Sequence, residues 1–212
     1  MNRPNKKQAK WKDHYSRRAK KENFPARSVY KLEEMQQKYH LIKKGDKILD
    51  LGCSPGSWLL FAAKLTGNKG HVTGVDLKPV TINVPPHATI HTGDIFSFES
   101  FSESIGHEFN VVISDMAPST TGIKNVDSAR SFNLSQAALE ITLKVLLPGG
   151  SFVCKIFQGE DFKLFSDSVK SNFATCNIFK PKSSRKASKE IYIIAKGKKT
   201  ALNSGGKYVR SQ

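Results

Sequence analysis

The sequence predicts a doubly wound α/β fold: a mostly parallel sheet of seven strands, with helices on both faces and a terminal antiparallel hairpin. First, short apolar runs alternate with helix-length segments along most of the 212 residues, which is typical of parallel α/β sheets. Second, only a short polar loop separates the last two runs, so these two strands can pair antiparallel. Third, a Gly-rich turn follows the first strand, at the edge where such sheets bind ligands.

The predicted elements follow one another in a simple order. The strands are expected at 47–51, 71–76, 89–93, 110–115, 151–157, 174–179 and 190–195. Apolar residues at helical spacing predict an amphipathic helix over 26–42, and further helices fit at 56–66, 128–147 and 159–171. We therefore divide the chain into a basic N-terminal extension (1–25), one α/β domain (26–197) and a basic tail (198–212) that is expected to be disordered.

The net charge of +16 is concentrated at the two ends of the chain. Residues 1–31 carry eleven Lys and Arg against two Asp and Glu, and residues 178–212 carry ten against one, whereas the segment between them carries thirteen against fifteen. Aromatic residues interleave with the N-terminal charges at Trp11, Tyr15, Phe24 and Tyr30. Basic ends on a near-neutral body indicate a nucleic acid partner, although basic tails are also common as solvated segments.

Signals for export or membrane insertion are not recognisable in the sequence. The N-terminus has no apolar stretch, and no run approaches the ~18–20 apolar residues of a spanning helix. The cysteines Cys53, Cys154 and Cys176 lack CxxC spacing, so neither a disulfide framework nor a metal site is predicted. We therefore expect a cytoplasmic protein, with a monomer as the default state.

The Gly-rich turn reads DLGCSPGSW at residues 50–58. Gly52 and Gly56 permit a tight turn and a close approach of the backbone to a ligand. Ser54 and Ser57 stand where a dinucleotide fingerprint needs glycine, and Asp50 suits a cation better than a pyrophosphate. The pattern D-x-G-x-x-P-G looks like the first motif of S-adenosylmethionine-dependent methyltransferases, whose ligand carries an amino group and a sulfonium.

Acidic residues stand at the ends of the next three strands. Asp76 ends the second strand, Asp94 follows the third in TGD, and Asp115 follows the fourth in SDMAP. Because the carboxyl ends of parallel strands meet at one edge, we expect the three acids to face one ligand, with Asp76 at ribose hydroxyls and Asp94 near the adenine. Each acid alone could instead cap a helix or form a turn.

A single lysine interrupts the apolar strand SFVCKIF at residues 151–157. Burying an unpaired cation costs on the order of several kcal/mol. Lys155 is therefore predicted to be paired or to take part in chemistry, the structural alternative being a lysine that extends from the strand end to solvent.

Three further stretches carry a specific resemblance: SDMAPSTTG (114–122), LPGGSFVCKIFQGE (147–160) and SSRKASKEIYIIAKG (183–197). With them, the chain from about Trp11 to Gly197 resembles the FtsJ-like family of RNA ribose 2′-O-methyltransferases, in particular bacterial members that modify a uridine of large-subunit (23S) ribosomal RNA. The resemblance implies a Rossmann-like methyltransferase domain at 26–197 that uses S-adenosyl-L-methionine, and a role in ribosome biogenesis.

The resemblance also implies the site residues. A Lys-Asp-Lys-Glu catalytic tetrad falls on Lys31, Asp115, Lys155 and Glu190. Cofactor-binding positions fall on Gly56, Trp58, Asp76, Asp94 and Asp115, to which the Gly-rich turn adds Asp50 and Gly52. Two departures from the family loop, Ser57 and Cys53, remove no functional group.

The implied reaction is an in-line methyl transfer to a ribose hydroxyl, with the reacting atoms about 3–3.5 Å apart. Lys155 is expected either to accept the hydroxyl proton as a neutral amine or, as an ammonium, to orient the oxygen and stabilise its developing charge. The sequence leaves both roles open.

RNA recognition is expected to depend largely on phosphate contacts. The expected cations are Lys31, Arg27, the basic residues of 3–21, and Lys180, Lys182, Arg185, Lys186 and Lys189. Trp11, Tyr15 and Phe24 either stack on bases or pack against helices.

Other functions remain open at this point. The same chemistry could act on a ribose in a transfer RNA anticodon loop, because the tetrad does not encode the substrate. A non-catalytic factor that binds RNA during ribosome assembly is a second alternative, against which the buried lysine argues. An NAD-dependent oxidoreductase is disfavoured by Ser54 and Ser57.

Overall fold

The computed structural model describes the backbone of residues 6–100, 102–185 and 187–200, and side chains from His14 onward within these ranges. The helices are α1 (Lys6–Lys21), α2 (Val29–Tyr39), α3 (Ser57–Thr66), α4 (Ser102–Ile105), α5 (Lys124–Val145) and α6 (Phe162–Asn172), with a 3-10 helix at Ile95–Ser100. The strands are β1 (Lys47–Leu51), β2 (His71–Asp76), β3 (Ala88–Thr92), β4 (Phe109–Ser114), β5 (Leu146–Phe157), β6 (Phe173–Phe179) and β7 (Glu190–Lys198).

The seven strands form one sheet in the order β3-β2-β1-β4-β5-β7-β6. The pairs among β1 to β5 are parallel, whereas β7 runs antiparallel to both β5 and β6. The chain reverses its winding direction after β3, so the carboxyl ends of β1 and β4 flank the crevice at which sheets of this kind bind ligands. The predicted fold class and the terminal hairpin are confirmed.

Apolar side chains cover both faces of the sheet. One buried cluster joins alternate residues of β4, β5 and β7 to α5 and α6, and it includes Phe152, Phe165 and Phe173. The other joins the opposite face to α2 and α3, and it includes Leu32 and Trp58. Because both faces are buried, the central strands read as continuous apolar runs rather than as alternating patterns.

Some element boundaries differ from the sequence prediction. Helix α5 spans Lys124–Val145 rather than 128–147, and α2 spans Val29–Tyr39 rather than 26–42. Strand β5 begins at Leu146 because that residue pairs with Phe109 across a register shift. The sequence analysis also missed the short helices between β3 and β4, which lack the length of a periodic pattern.

Helix α1 docks against α2 through a small set of contacts. Ala19 is buried against Val29 and Tyr30, and the guanidinium of Arg18 donates to both carboxylate oxygens of Glu33 at 3.0 Å. The helix carries few apolar residues, so its sequence shows no apolar face. The division at residue 25 stays a prediction, and most of the proposed tail lies outside the described residues.

Within the described ranges, no helix combines the length and the apolar character needed to cross a bilayer. Those ranges also contain no cluster of three or more His, Cys, Asp or Glu side chains arranged to hold a metal ion.

Candidate active site

Four polar residues from distant parts of the chain meet at the carboxyl end of β4. Asp115 follows β4, Lys155 lies near the end of β5, Glu190 begins β7, and Lys31 extends from the first turn of α2. Lys155 is opposite Tyr192 on β7, and Phe157 is opposite Glu190. Paired residues of antiparallel strands share a face, and so do residues two positions apart. The sheet therefore presents Lys155, Tyr192 and Glu190 on one face, the face that α2 covers.

Asp115 is the common partner in this group. Its Oδ1 lies 2.9 Å from Nζ of Lys155 and 3.8 Å from Nζ of Lys31, and it accepts a hydrogen bond from the Tyr192 hydroxyl at 2.6 Å. Burial alone would raise the pKa of the Asp115 carboxyl. The ammonium groups of Lys155 and Lys31 and the hydrogen bond from Tyr192 together lower it by more than burial raises it, so the pKa lies below the ordinary value. We conclude that Asp115 is ionised at neutral pH.

Lys155 is buried, with 6% of its surface exposed. Besides the carboxylate, its ammonium contacts the backbone carbonyl of Asp115. Both acceptors belong to one residue, which fixes the position of Nζ relative to the end of β4. The structure thus shows a paired lysine rather than one that extends into water.

Strand β5 extends beyond the end of its neighbour β4. There, two serines of α5 supply the hydrogen bonds to the β5 backbone that β4 no longer provides. The paired region ends with Ser114 opposite Cys154. Beyond it, the Ser135 hydroxyl donates to the carbonyl of Lys155 at 3.0 Å, and the Ser131 hydroxyl accepts from the amide of Phe157 at 3.0 Å. Both serines are buried. They satisfy backbone groups that would otherwise be costly to bury, and they hold in place the segment of β5 that contains Lys155.

Lys31 and Glu190 form a second ion pair beside the first. Their Nζ and Oε1 atoms are 2.8 Å apart, and 13% of each side chain is exposed. Within the tetrad implied by the resemblance, the structure pairs Glu190 with Lys31 and Asp115 with Lys155. Lys31 therefore links the two pairs.

The Gly-rich turn after β1 brings its backbone close to neighbouring loops. Gly52 and Gly56 have φ values of 78° and 107°, a region that favours glycine. A Cβ at Gly52 would lie 2.3 Å from Cγ of Met116, and one at Gly56 would lie 2.1 Å from Cδ1 of Ile82. Both positions therefore require the absence of a side chain.

Asp50 lies beneath this turn and is fully buried, and neither carboxylate oxygen has a hydrogen-bond partner within the described structure. Burial raises the pKa of Asp50 well above its ordinary value, and the nearby Asp115 and Asp76 carboxylates raise it further. Unpartnered buried carboxylates are costly. A cationic ligand group at this point would relieve the cost, which fits the amino group of S-adenosyl-L-methionine.

The other two acids already hold loop backbone. Asp76 accepts the amides of Ser54 at 2.9 Å and Lys78 at 2.8 Å, one on each oxygen. Exposed Asp94 accepts the amide of Phe96 at 3.0 Å, as a turn-forming aspartate does. A carboxylate has about four acceptor positions, so both residues keep capacity for ligand hydroxyl or amino groups.

The Trp58 side chain points into the core rather than towards the turn. It is buried, its Nε1 donates to the carbonyl of Ser28 at 2.9 Å, and its ring lies 5.9 Å from that of Tyr192. The indole thus joins α3 to the residue before α2. Any contact of Trp58 with a cofactor would come from its backbone amide in the first turn of α3, where amides lack helical partners.

Tyr192 and the two serines are the residues that sequence reasoning missed. Tyr192 stands two positions after Glu190, so strand alternation places both on one face, and this signal could have been used. The serines on α5 gave no such signal, because a mid-helix serine is ordinarily solvated or bonded to its own helix.

Some of the basic residues expected at the mouth of the site lie near one another in the structure. Arg27 donates to the carbonyl of Ser183 at 2.6 Å, and both burial and the neighbouring Arg185 lower its pKa. Lys182, Arg185 and Lys189 are exposed. Phe24 packs edge-on against Phe61. Lys186, the side chains of residues 3–13 and therefore Trp11 lie outside the described residues.

The fold and this arrangement define a methyltransferase sheet with a buried lysine and carboxylates at its ligand edge. Residues 24–198 match the model of the family described as FtsJ-like methyltransferase. The chain belongs to the FtsJ-like methyltransferase family.

Relatives and solved structures agree with this assignment. The chain is 58% identical over 194 residues to ribosomal RNA large subunit methyltransferase E of Desulforapulum autotrophicum, covering 91% of this chain and 96% of the relative. A crystal structure of a ribosomal RNA methyltransferase from Plasmodium falciparum is 27% identical, with a TM-score of 0.73, covering 82% of this chain and 98% of that one. Aeropyrum pernix fibrillarin with natively bound S-adenosyl-L-methionine shares the fold (TM-score 0.52, 16% identity, covering 72% and 67%).

Proposed function

We propose that this protein transfers a methyl group from S-adenosyl-L-methionine to the 2′-hydroxyl of a ribose, that of a uridine, in large-subunit ribosomal RNA. The observation that carries the proposal is the buried Lys155–Asp115 ion pair at the ligand edge of the sheet. The name of the relative that is 58% identical supports the substrate class. We further propose that the protein acts in the cytoplasm as a monomer, on the assembled subunit.

The cofactor fits the residues around the Gly-rich turn. Asp50 would accept its amino group, the backbone at Gly52 and Gly56 would approach it closely, and Asp76 would receive the ribose hydroxyls. Asp94, which follows β3, would lie near the adenine. When bound, S-adenosyl-L-methionine supplies an electrophilic methyl carbon on a sulfonium.

The tetrad would position and activate the RNA hydroxyl. Nζ of Lys155 lies 2.9 Å from the Asp115 carboxylate. With two N–H groups directed at oxygens of Asp115, the third is available to the ribose oxygen. The ammonium then orients a lone pair of that oxygen and stabilises charge in the transition state. In this role Lys155 does not take the hydroxyl proton, which passes to solvent.

Lys31 and Glu190 would hold this arrangement from the side of α2. The pair lies close enough to Asp115 for Lys31 to contribute positive charge. A ribose that reaches Lys155 must leave a base-paired helix, because the 2′-hydroxyl has to enter a partly buried group of side chains.

The test is to map the product. Purified protein and S-adenosyl-L-methionine labelled in the methyl group are incubated with assembled large subunits, naked large-subunit RNA or transfer RNA, each from cells that lack the protein. We expect one alkali-resistant 2′-O-methyluridine in the large subunits, located by mass spectrometry. Methylation of transfer RNA anticodon loops with ribosomal RNA unmodified would overturn the proposed substrate. No methylation of any RNA would favour a non-catalytic assembly factor.

A further inference from the structure

A groove of about 670 Å³ opens beside the tetrad, on the other side of α2. We call it the α1–α2 groove. It is bounded by Tyr15 of α1, Gln37 and Lys38 of α2, Phe179 at the end of β6, and Lys182 in the following loop. We propose that it binds an unpaired nucleotide that flanks the methylated ribose, with a base against the aromatic rings and phosphates at the two lysines. This inference rests on the proposed function.

The groove lies at the same level of the sheet as the tetrad. Phe179 is opposite Tyr192 in the β6–β7 pair, and Tyr192 is opposite Lys155 in the β5–β7 pair. Two strand spacings therefore separate Phe179 from Lys155, which is roughly 10 Å. Along α2, the seven residues from Lys31 to Lys38 correspond to a rise of about 10 Å. Both routes bring the groove within reach of a nucleotide close to the target.

The carboxylates in the groove walls already have hydrogen-bond partners within the protein. Both carboxylate oxygens of Glu33 accept from Arg18 at 3.0 Å. Both oxygens of Glu34 accept backbone amides, from Lys182 at 2.7 Å and from Ser183 at 2.8 Å. These carboxylates therefore have protein partners and do not require a cationic ligand.

The two lysines at the groove, by contrast, keep their charge available. Within the described residues, neither Lys38 nor Lys182 forms an ion pair, and both are exposed. The ammonium of Lys38 lies over aromatic rings, 5.1 Å from the centre of Phe179 and 5.2 Å from that of Tyr39. Cations without acidic partners beside aromatic rings match the needs of single-stranded RNA, whose phosphates and bases they contact.

Gln37 and Tyr15 complete the chemistry expected of such a site. Gln37 is exposed on α2 next to Lys38 and also lines the groove, and its amide offers both a donor and an acceptor to a base edge. Tyr15 lies 5.3 Å from Tyr30 and under the guanidinium of Arg27 at 5.5 Å. Glu34 also connects α2 to the loop that precedes Glu190, through its bonds to the amides of Lys182 and Ser183. An RNA strand bound in the groove would therefore lie against the loop that leads to the tetrad.

The first test is direct contact. Wild-type protein is irradiated with ultraviolet light on large subunits from cells that lack it, and crosslinked peptides and nucleotides are identified by mass spectrometry. We expect crosslinks from the peptides that contain Tyr15 or Phe179 to nucleotides next to the methylated ribose. Crosslinks confined to peptides of the tetrad, or none from the groove peptides, would overturn the proposal.

The second test measures charge. The variant K38A/K182A is compared with K64A/K69A, which removes two exposed lysines near the C-terminal end of α3 and in the turn that follows it. Binding of a short oligouridine is measured by fluorescence anisotropy between about 50 and 200 mM salt. Each phosphate contact to a single strand adds about 0.7 to the salt slope, so wild-type affinity should fall about sevenfold more than that of K38A/K182A over this range. Equal slopes for the two double variants would overturn the proposal.

Methyl transfer to large subunits separates this inference from the proposed function. We expect K38A/K182A to raise KM for the subunits more than it lowers kcat, with KM for S-adenosyl-L-methionine unchanged. If wild type transfers no methyl group to the subunits, the proposed function fails. If wild type is active and K38A/K182A has the same KM as K64A/K69A, the groove proposal alone fails. It also fails if the oligouridine slope is normal and only the assembled subunit binds less tightly, because that result would indicate a protein partner.

Discussion

Replacing Tyr192 by Phe removes one hydroxyl from the centre of the site and keeps the ring. That hydroxyl donates to Asp115 at 2.6 Å, and a hydrogen bond to a charged group contributes about 1.5–3 kcal/mol. We expect the free energy of unfolding at pH 7 to fall by about this amount. For a chain of 212 residues, that corresponds to a Tm lower by roughly 3–12 °C.

The size of this effect should depend on pH with a definite sign. The pKa of Asp115 lies below its ordinary value, in part because of the Tyr192 hydrogen bond. Such an acid stabilises the fold above its unfolded-state pKa of about 3.9, and this contribution is lost as pH falls through the folded-state pKa. Without the hydroxyl, the folded-state pKa rises. The difference between Y192F and wild type should therefore be largest near neutrality and shrink on acidification below about pH 4.

Urea unfolding followed by fluorescence at several pH values measures this difference. The matched control is Y39F, because Tyr39 is half-buried and its hydroxyl makes no hydrogen bond within the described part of the chain. Equal stability of Y192F and wild type at pH 7 would refute the role assigned to the hydroxyl. A loss that stays constant into the acid range would refute its link to the Asp115 charge.

Two further substitutions test the cofactor pocket and the support of Lys155. Burial raises the pKa of Asp50 above its ordinary value. The carboxyl therefore destabilises the fold increasingly as pH rises above its unfolded-state pKa. In the absence of cofactor, D50N should be at least as stable as wild type at pH 8. Calorimetry should show S-adenosyl-L-methionine binding weakened about tenfold or more, the loss of one charged hydrogen bond; unchanged affinity would contradict the assignment. S135A, which removes the bond to the Lys155 carbonyl, should lower kcat by up to about 10²-fold with KM unchanged, whereas S168A, which loses a bond to Leu164 within α6, should not; equal kcat values would contradict the positioning role.

The parts of the fold that sequence patterns predicted are those with strong local signals. Strand centres such as 111–113 and 152–154 are apolar throughout because both faces of the sheet are covered, and Gly52 and Gly56 mark a turn with positive φ. Asp76 and Asp115 stand out because an acid at the end of an apolar strand is costly unless it is used. Lys155 stands out for the same reason.

The remaining features depend on contacts that are distant in sequence. Lys31 looks like an ordinary helix lysine until the fold places it 2.8 Å from Glu190, 159 positions later in the chain. Helix α1 shows no apolar face, because its docking relies on Ala19 and the Arg18–Glu33 pair. The sequence also suggested a cofactor role for Trp58, whose indole the structure shows in the core. Tertiary packing decides whether the side chain or the backbone of such a residue faces a ligand, and a local sequence pattern does not predict this.

The most direct test of the central claim is single-turnover methyl transfer by the variant K155A on assembled large subunits. Circular dichroism verifies that the variant is folded, because breaking a buried ion pair destabilises by about 3–5 kcal/mol, and K64A serves as the control. We predict that K155A binds the subunits as wild type does and transfers the methyl group about 10²–10³-fold more slowly, the usual loss when one charge-stabilising donor is removed. A folded K155A that methylates at the wild-type rate would contradict the role of Lys155.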